Sequence, residues 1–302
     1  MRVIVPEPGA DPPYVSVVLP VYNMERYIGE ALESVLNQTF RDSEVIVVDD
    51  GSTDGTPKIL DRYADRVRVI RQENRGCPAA LNRGIREARG TWIAWISADD
   101  AWEPTKLERQ IHVVHSVPDV GMVYTDYVYI DKDGNVLSAE HFPCPPTRRK
   151  TLLRLIRRCF VNGSSTLIRK DVFDRIGLYD EAEKYIFDWD MDIRIALAFR
   201  LANVPEPLVR YRIHPGQNSA NQDRVERESR RVASRSLRRM GPILGAEAAL
   251  FGFHRQVRTF PAYVRRSMHR RSIRRQLLDL IEWLVFLVNP YTEWNPRPSR
   301  PP

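Results

Sequence analysis

Short β-branched runs that alternate with amphipathic segments across residues 15–130 constrain this chain more than any other feature. Residues 15–19 (VSVVL) read as a buried strand ended by Pro20. Residues 24–37 then place Ile28, Ala31, Leu32, Val35 and Leu36 on one helical stripe. Residues 44–48 (EVIVV) make a second strand, and it runs into the turn-rich DDGSTDGT. A helix is expected over 57–63, with Thr56 as N-cap and Pro57 at its first position. Residues 66–71 alternate as a third strand. Residues 77–88 form a helix ended by Gly90, and 91–97 (TWIAWIS) form a fourth strand. A helix over 104–116 and a strand over 121–130 follow. Such alternation with short connectors predicts a doubly wound, mainly parallel sheet, in which ligands bind at the carboxyl ends of the strands.

The second half is less regular. Lys132-Asp133-Gly134-Asn135 is a hairpin turn and 143–146 a loop. A short strand is expected over 166–169, a short helix over 171–176, and a helix over 188–201 with Ile193, Ala196, Leu197 and Leu201 on one face. A strand over 208–213 leads into His214. The chain from 221 to 275 is Arg-rich and helical in pattern, and 277–288 (LLDLIEWLVFLV) is strongly apolar.

With 43% hydrophobic and 28% charged residues, the chain is neither disordered nor fibrous. Three scattered cysteines form no disulfide framework and no zinc-type pair. No signal peptide and no spanning run of about 18–20 apolar residues is visible, so a cytoplasmic address is expected. The net charge of +7 divides unevenly: residues 1–220 carry −3 and residues 221–302 carry +10, every base in the latter being Arg. The Arg pairs at 265–266, 270–271 and 274–275 precede the apolar segment. Residues 263–289 therefore suit an interfacial helix on anionic lipid; packing on the catalytic domain or a homodimer contact is the alternative. Nucleic acid is not expected, because no recognition motif or stacking aromatics accompany the arginines.

Two acidic pairs, Asp49-Asp50 and Asp99-Asp100, fall at strand carboxyl ends. No GxGxxG or GxxxxGK[ST] accompanies them. Carboxylates placed so suit a hard divalent cation that also meets phosphate oxygens, and helix capping is the bland alternative.

The segments VSVVLPVYN, SVLNQTF, EVIVVDDGSTDGT, NRGCPAALNRGI and TWIAWISADD, in this order, resemble the family 2 glycosyltransferases over residues 15–220. The resemblance implies the glycosyltransferase A fold: a single Rossmann-like α/β unit with a mixed, mainly parallel sheet flanked by helices. It divides the chain into an N-terminal extension (1–14), a catalytic domain (15–220) and a basic helical extension (221–302). It also implies inverting transfer of one sugar from a nucleotide-diphosphate sugar, taken as UDP-linked, to a glycan or lipid-linked acceptor, with Mg²⁺ or Mn²⁺. By the same resemblance, Pro20, Val21, Tyr22 and Asn23 line the nucleoside pocket and Asp50 binds the base. Asp99 faces the ribose or sugar, Asp100 and His214 belong to the metal, and Asp188 is the general base. Arg75 is a candidate positive group for the nucleotide.

Asp188 also suits helix capping, and His214 a satisfied loop histidine. Phe187 stands where the family usually has Glu, and Leu81 where many members have Arg. The QxxRW signature of processive members is absent, which points to single additions. A nucleotidyltransferase is disfavoured, since PVYNMERY replaces the phosphate loop it needs after the first strand. A non-catalytic binding member remains the other alternative.

Overall fold

A computed structural model describes residues 11–217 and 221–244. One compact unit ends at Arg230 and a second begins at Arg231. The proposed membrane or dimer segment, 263–289, lies outside the described residues, as does most of the basic extension. Among the described residues no helix is long and apolar enough to cross a membrane, and Cys77, Cys144 and Cys159 are free thiols.

The sheet has the order β3-β2-β1-β4-β8-β6-β9-β5, with β7 paired to β6. Strands β1 (Val15–Val21), β2 (Ser43–Asp49), β3 (Arg68–Arg71) and β4 (Trp92–Trp95) are parallel. Helices α1 (Ile28–Leu36), α2 (Thr56–Asp61) and α3 (Cys77–Glu87) are the crossovers. Strand β1 has β2 on one side and β4 on the other, so the strand order reverses there and opens a crevice at their carboxyl ends. β1 continues through Pro20 to Val21, two residues past the expected end. Proline fits because the pairing of β1 with β4 stops at Val18, and no partner on that side needs the missing N–H.

Helix α3 packs on β1 and β2 through Gly84. A Cβ there would stand 2.3 Å from Val18 Cγ1 and 3.3 Å from Val48 Cγ2. Gly84→Ala is therefore expected to destabilise by about 1–3 kcal/mol through overpacking, although alanine is the better helix former. Urea unfolding measures this.

The second half mixes directions. Strand β8 (Leu167–Arg169) is antiparallel to β4 and to β6 (Val120–Ile130). β6 runs parallel to β9 (Arg200–Arg212). The two-residue β5 (Ala101–Trp102) pairs with β9, and β7 (Val136–Glu140) closes the hairpin with β6. Helix α4 (Lys106–Ser116) matches expectation, as does α6 (Lys170–Ile176). Helix α5 (Arg148–Arg157) was not expected. Thr147 caps it by accepting from the Lys150 amide, and it buries Leu152, Leu153, Leu155 and Ile156.

Two local expectations are corrected. Helix α7 (Phe187–Ala198) stops before Leu201, which lies in β9. Thr56 does not cap α2; Gly55 holds that position, and Thr56 Oγ1 accepts from the Met24 amide and ties down the approach to α1. Helix α8 (Gln222–Leu244) follows β9.

Candidate active site

The crevice is a cavity of about 720 Å³, and it gathers residues from β1, the acidic loop after β4, the turn before β8, and α7. Pro20, Val21, Tyr22 and Asn23 line one end. Asn23 sits at φ 52°, and its Oδ1 accepts from the Thr53 amide at 2.7 Å, so the loop after β2 is hung from β1. Asp50, also in the lining, holds the opposite loop. Its Oδ1 accepts from the Arg75 amide (2.9 Å) and Gln72 Nε2 (2.8 Å), and its Oδ2 from the Gly76 amide (2.7 Å). Gly51 permits this close approach: at φ +78° its Cβ would stand 2.9 Å from the Asn74 amide nitrogen. Arg75 contributes backbone to that loop, but its guanidinium pairs with Glu181 at 3.1 Å and stays out of the cavity lining. Leu81 is fully buried, whereas Asn82 beside it exchanges two hydrogen bonds with the Tyr179 backbone.

The acidic pair after β4 divides its work. Asp100 is buried with both oxygens engaged: Oδ2 accepts from Ser164 Oγ at 2.6 Å and Oδ1 from the Arg212 amide at 2.9 Å. Burial and the neighbouring Asp99 carboxylate push its pKa well above the ordinary range. Asp99 Oδ2 lies 3.0 Å from His214 Nε2, while its Oδ1 is buried without a partner. The residues sequence reasoning gave to the metal are thus close together, but the free carboxylate oxygen belongs to Asp99. Among the described residues no cluster of three or more His, Cys, Asp or Glu is arranged around a metal position. Two protein ligands suffice where diphosphate and water complete the shell.

Arg212 braces this region and was missed. Its side chain is 2% exposed. Nε donates to the Asp99 carbonyl at 2.8 Å, one terminal nitrogen to the Asp131 carbonyl at 3.3 Å, and the other to Glu30 Oε2. Its guanidinium lies 4.8 Å from the Tyr27 ring, which in turn packs 5.1 Å from the His214 ring. The only sequence signal was a charged residue at an inward position of a strand.

Asp188 stands in the first turn of α7, half-buried in the cavity wall. Its Oδ1 accepts from the adjacent Trp189 amide, and Ile186 is the residue at the N-cap, so Asp188 does not cap the helix. The helix dipole favours its anion, yet burial outweighs that and pushes its pKa up to about 6. Phe187, at the family's Glu position, fills an apolar gap with its ring 6.0 Å from Trp95 and 5.6 Å from Tyr179.

Lys184, Tyr185 and Arg224 also line the cavity, and sequence reasoning missed all three. Glu228 accepts from the Lys184 and Tyr185 amides, and Arg224 donates to Tyr185 Oη at 2.6 Å. Nothing marked Arg224 out in a stretch full of arginines.

Known proteins share this fold. The model of the family described as Glycosyl transferase family 2 matches residues 16–177. An uncharacterized glycosyltransferase of Rickettsia prowazekii is 35% identical over 217 residues, 68% of this chain and 66% of that protein. The chain thus spans just under two thirds of that relative. Escherichia coli chondroitin synthase is 30% identical over 76% of this chain and 33% of its own length. Staphylococcus aureus TarS 1–349, solved with UDP-GlcNAc, superposes with a TM-score of 0.64 at 19% identity, covering 88% of this chain and 79% of that one. The Pyrobaculum calidifontis mannosyltransferase PcManGT, solved with GDP-Man and Mn²⁺, gives 0.55 at 18% identity over 96% and 90%. The two structures show the shared fold, and with the family model covering more than half its length, the chain belongs to glycosyl transferase family 2.

Proposed function

We propose that the protein transfers a single sugar, with inversion, from a nucleotide-diphosphate sugar to a hydroxyl of a glycan or lipid-linked acceptor in glycoconjugate synthesis. The observation that carries this reading is one cavity lined by the Asp50 loop, by Asp99 and by Asp188, whose pKa is raised. The nucleoside lies against residues 20–23 and the loop held by Asp50. UDP is the donor nucleotide proposed from the family's habit.

The orphaned Asp99 Oδ1 fits a hard divalent cation, Mg²⁺ or Mn²⁺, and His214, whose Nε2 is committed to Asp99 Oδ2 at 3.0 Å, holds that carboxylate in place. When bound, that ion supplies positive charge to the leaving diphosphate. Asp99 takes this role in place of Asp100, whose oxygens are committed to Ser164 and the Arg212 backbone. Asp188 accepts the proton of the acceptor hydroxyl as it attacks, and in-line displacement needs only this one carboxylate on the acceptor side. Phe187 keeps water from one flank of it. Residues 15–220 form the catalytic domain in this reading. The basic segment 263–289 brings it to an anionic membrane surface that carries the acceptor, with a homodimer contact as the alternative role.

Thermal unfolding with UDP, GDP, dTDP and CDP, with and without Mn²⁺, tests the reading. A metal-dependent rise in melting temperature with one nucleotide is expected; no rise with any of them overturns the proposal. Asp99→Asn is expected to abolish the metal-dependent part of the rise.

A further inference from the structure

Two residues that line the cavity each carry a buried polar atom with no partner in the protein. Trp95 closes β4, is 6% exposed, and lines the cavity; its indole Nε1–H donates to nothing. Asn162, in the turn before β8, lines the same cavity, and its Oδ1 accepts from nothing. The indoles of Trp102 and Trp189, by contrast, donate to the carbonyls of Ser164 and Leu155, each at 2.8 Å. An unmet buried donor or acceptor costs about 1–3 kcal/mol, and native proteins leave few of them. One donor and one acceptor among the lining residues of one cavity are the complement of a ligand group that can do both.

We propose that Trp95 Nε1–H and Asn162 Oδ1 form the subsite that reads a polar substituent of the transferred sugar. This rests on the donor placement given above. The turn bearing Asn162 lies directly on the Trp95 ring: a Cβ on Gly163 would stand 1.9 Å from Trp95 Cζ2, so only glycine lets the two groups share this wall. Ser164, two residues on, donates to Asp100 beside the metal candidates. The Trp95 ring also meets Phe187, the neighbour of Asp188. The pair therefore sits between the acidic loop and the base. The transferred ring must occupy that interval if its anomeric carbon is to face both the diphosphate and the acceptor hydroxyl.

The pair is neutral, so it selects a neutral substituent with both donor and acceptor capacity, a hydroxyl or an acetamido group. A deoxy position leaves both groups unmet, and a carboxylate meets the Asn162 oxygen as a like partner. Sites built to hydrogen-bond a substrate group discriminate strongly against analogues that lack it.

Calorimetric titration with Mn²⁺ tests this. The probes are the free nucleoside diphosphate and the glucose, galactose, N-acetylglucosamine, N-acetylgalactosamine and glucuronate nucleotides of the same base. The wild-type protein is expected to bind at least one neutral sugar nucleotide more tightly than the diphosphate. Trp95→Phe and Asn162→Leu are each expected to lower that preference about two- to tenfold, with the affinity for the diphosphate unchanged. Equal losses for diphosphate and sugar nucleotide, unchanged preference in both variants, or no sugar preference in the wild type overturns the subsite alone. Failure of every nucleotide to bind overturns the donor placement as well.

Discussion

Asp188→Asn is expected to lower turnover by a factor of about 10²–10⁴, the range of a positioned general base, while Mn²⁺-dependent nucleotide binding stays at the wild-type level. The split follows from geometry. Asp50, Asp99 and His214 are held by hydrogen bonds and contacts that do not involve Asp188, whose own carboxylate accepts from the Trp189 amide. Burial pushes the Asp188 pKa from an ordinary 3.8 to about 6. The wild-type rate is therefore expected to rise with pH through about 6, as the carboxyl loses the proton that prevents it from acting as a base.

Stability moves the opposite way. A carboxyl whose folded pKa lies above its unfolded one favours the folded state fully only below the unfolded value. That contribution is lost between about pH 4 and pH 6. Asparagine carries no charge to bury, so the variant should be more stable than wild type at pH 7, by about 1–2 kcal/mol after allowance for the half-open position. The gap should close at pH 4. Steady-state kinetics across pH 5–8 with paired urea titrations reads both effects; turnover that persists at the wild-type rate removes Asp188 from the role of base.

Arg212→Met carries the second large effect. Methionine approximates the volume but supplies none of the donors that reach the Asp99 carbonyl, the Asp131 carbonyl and Glu30. Removing one partner of a buried ion pair costs about 3–5 kcal/mol when the other is left buried. Glu30 is 43% exposed and regains water, so a loss of about 2–4 kcal/mol is expected. The acidic loop loses its brace, and the Tyr27 ring that packs against His214 loses its guanidinium neighbour. The Mn²⁺-dependent gain in nucleotide affinity should fall with stability. Arg212→Lys keeps the charge but not the planar fork, and should lie between the two. Urea unfolding and Mn²⁺ titration at fixed nucleotide measure these; undiminished metal dependence in a folded Arg212→Met protein defeats the bracing role.

The early strands were legible because they are buried on both faces and read as continuous β-branched runs, as in 15–19 and 44–48. The later ones were not. Strand β9 contains Pro205 and Pro207, which argue against a strand, and the structure accommodates them where its register with β6 shifts between Val204 and Pro207. Helix α5 begins in the charged run RRK, and β5 is too short to show a period. Leu201 matched the helical stripe of α7, but the chain turns extended at Phe199, whose side chain packs against Gly121.

By itself the sequence determined the α/β alternation and the acidic residues placed at the carboxyl ends of its strands. These follow from local periodicity and from where strands end, both of which are properties of neighbouring residues. Tertiary structure alone decided which acidic oxygen is free. Asp99 and Asp100 are adjacent and chemically identical; the difference comes from Ser164 and Arg212, 64 and 112 residues beyond Asp100, which occupy one carboxylate and leave an oxygen of the other unmet. It also decided the raised pKa of Asp188, because burial depends on what packs around a residue and not on the residues beside it in the chain.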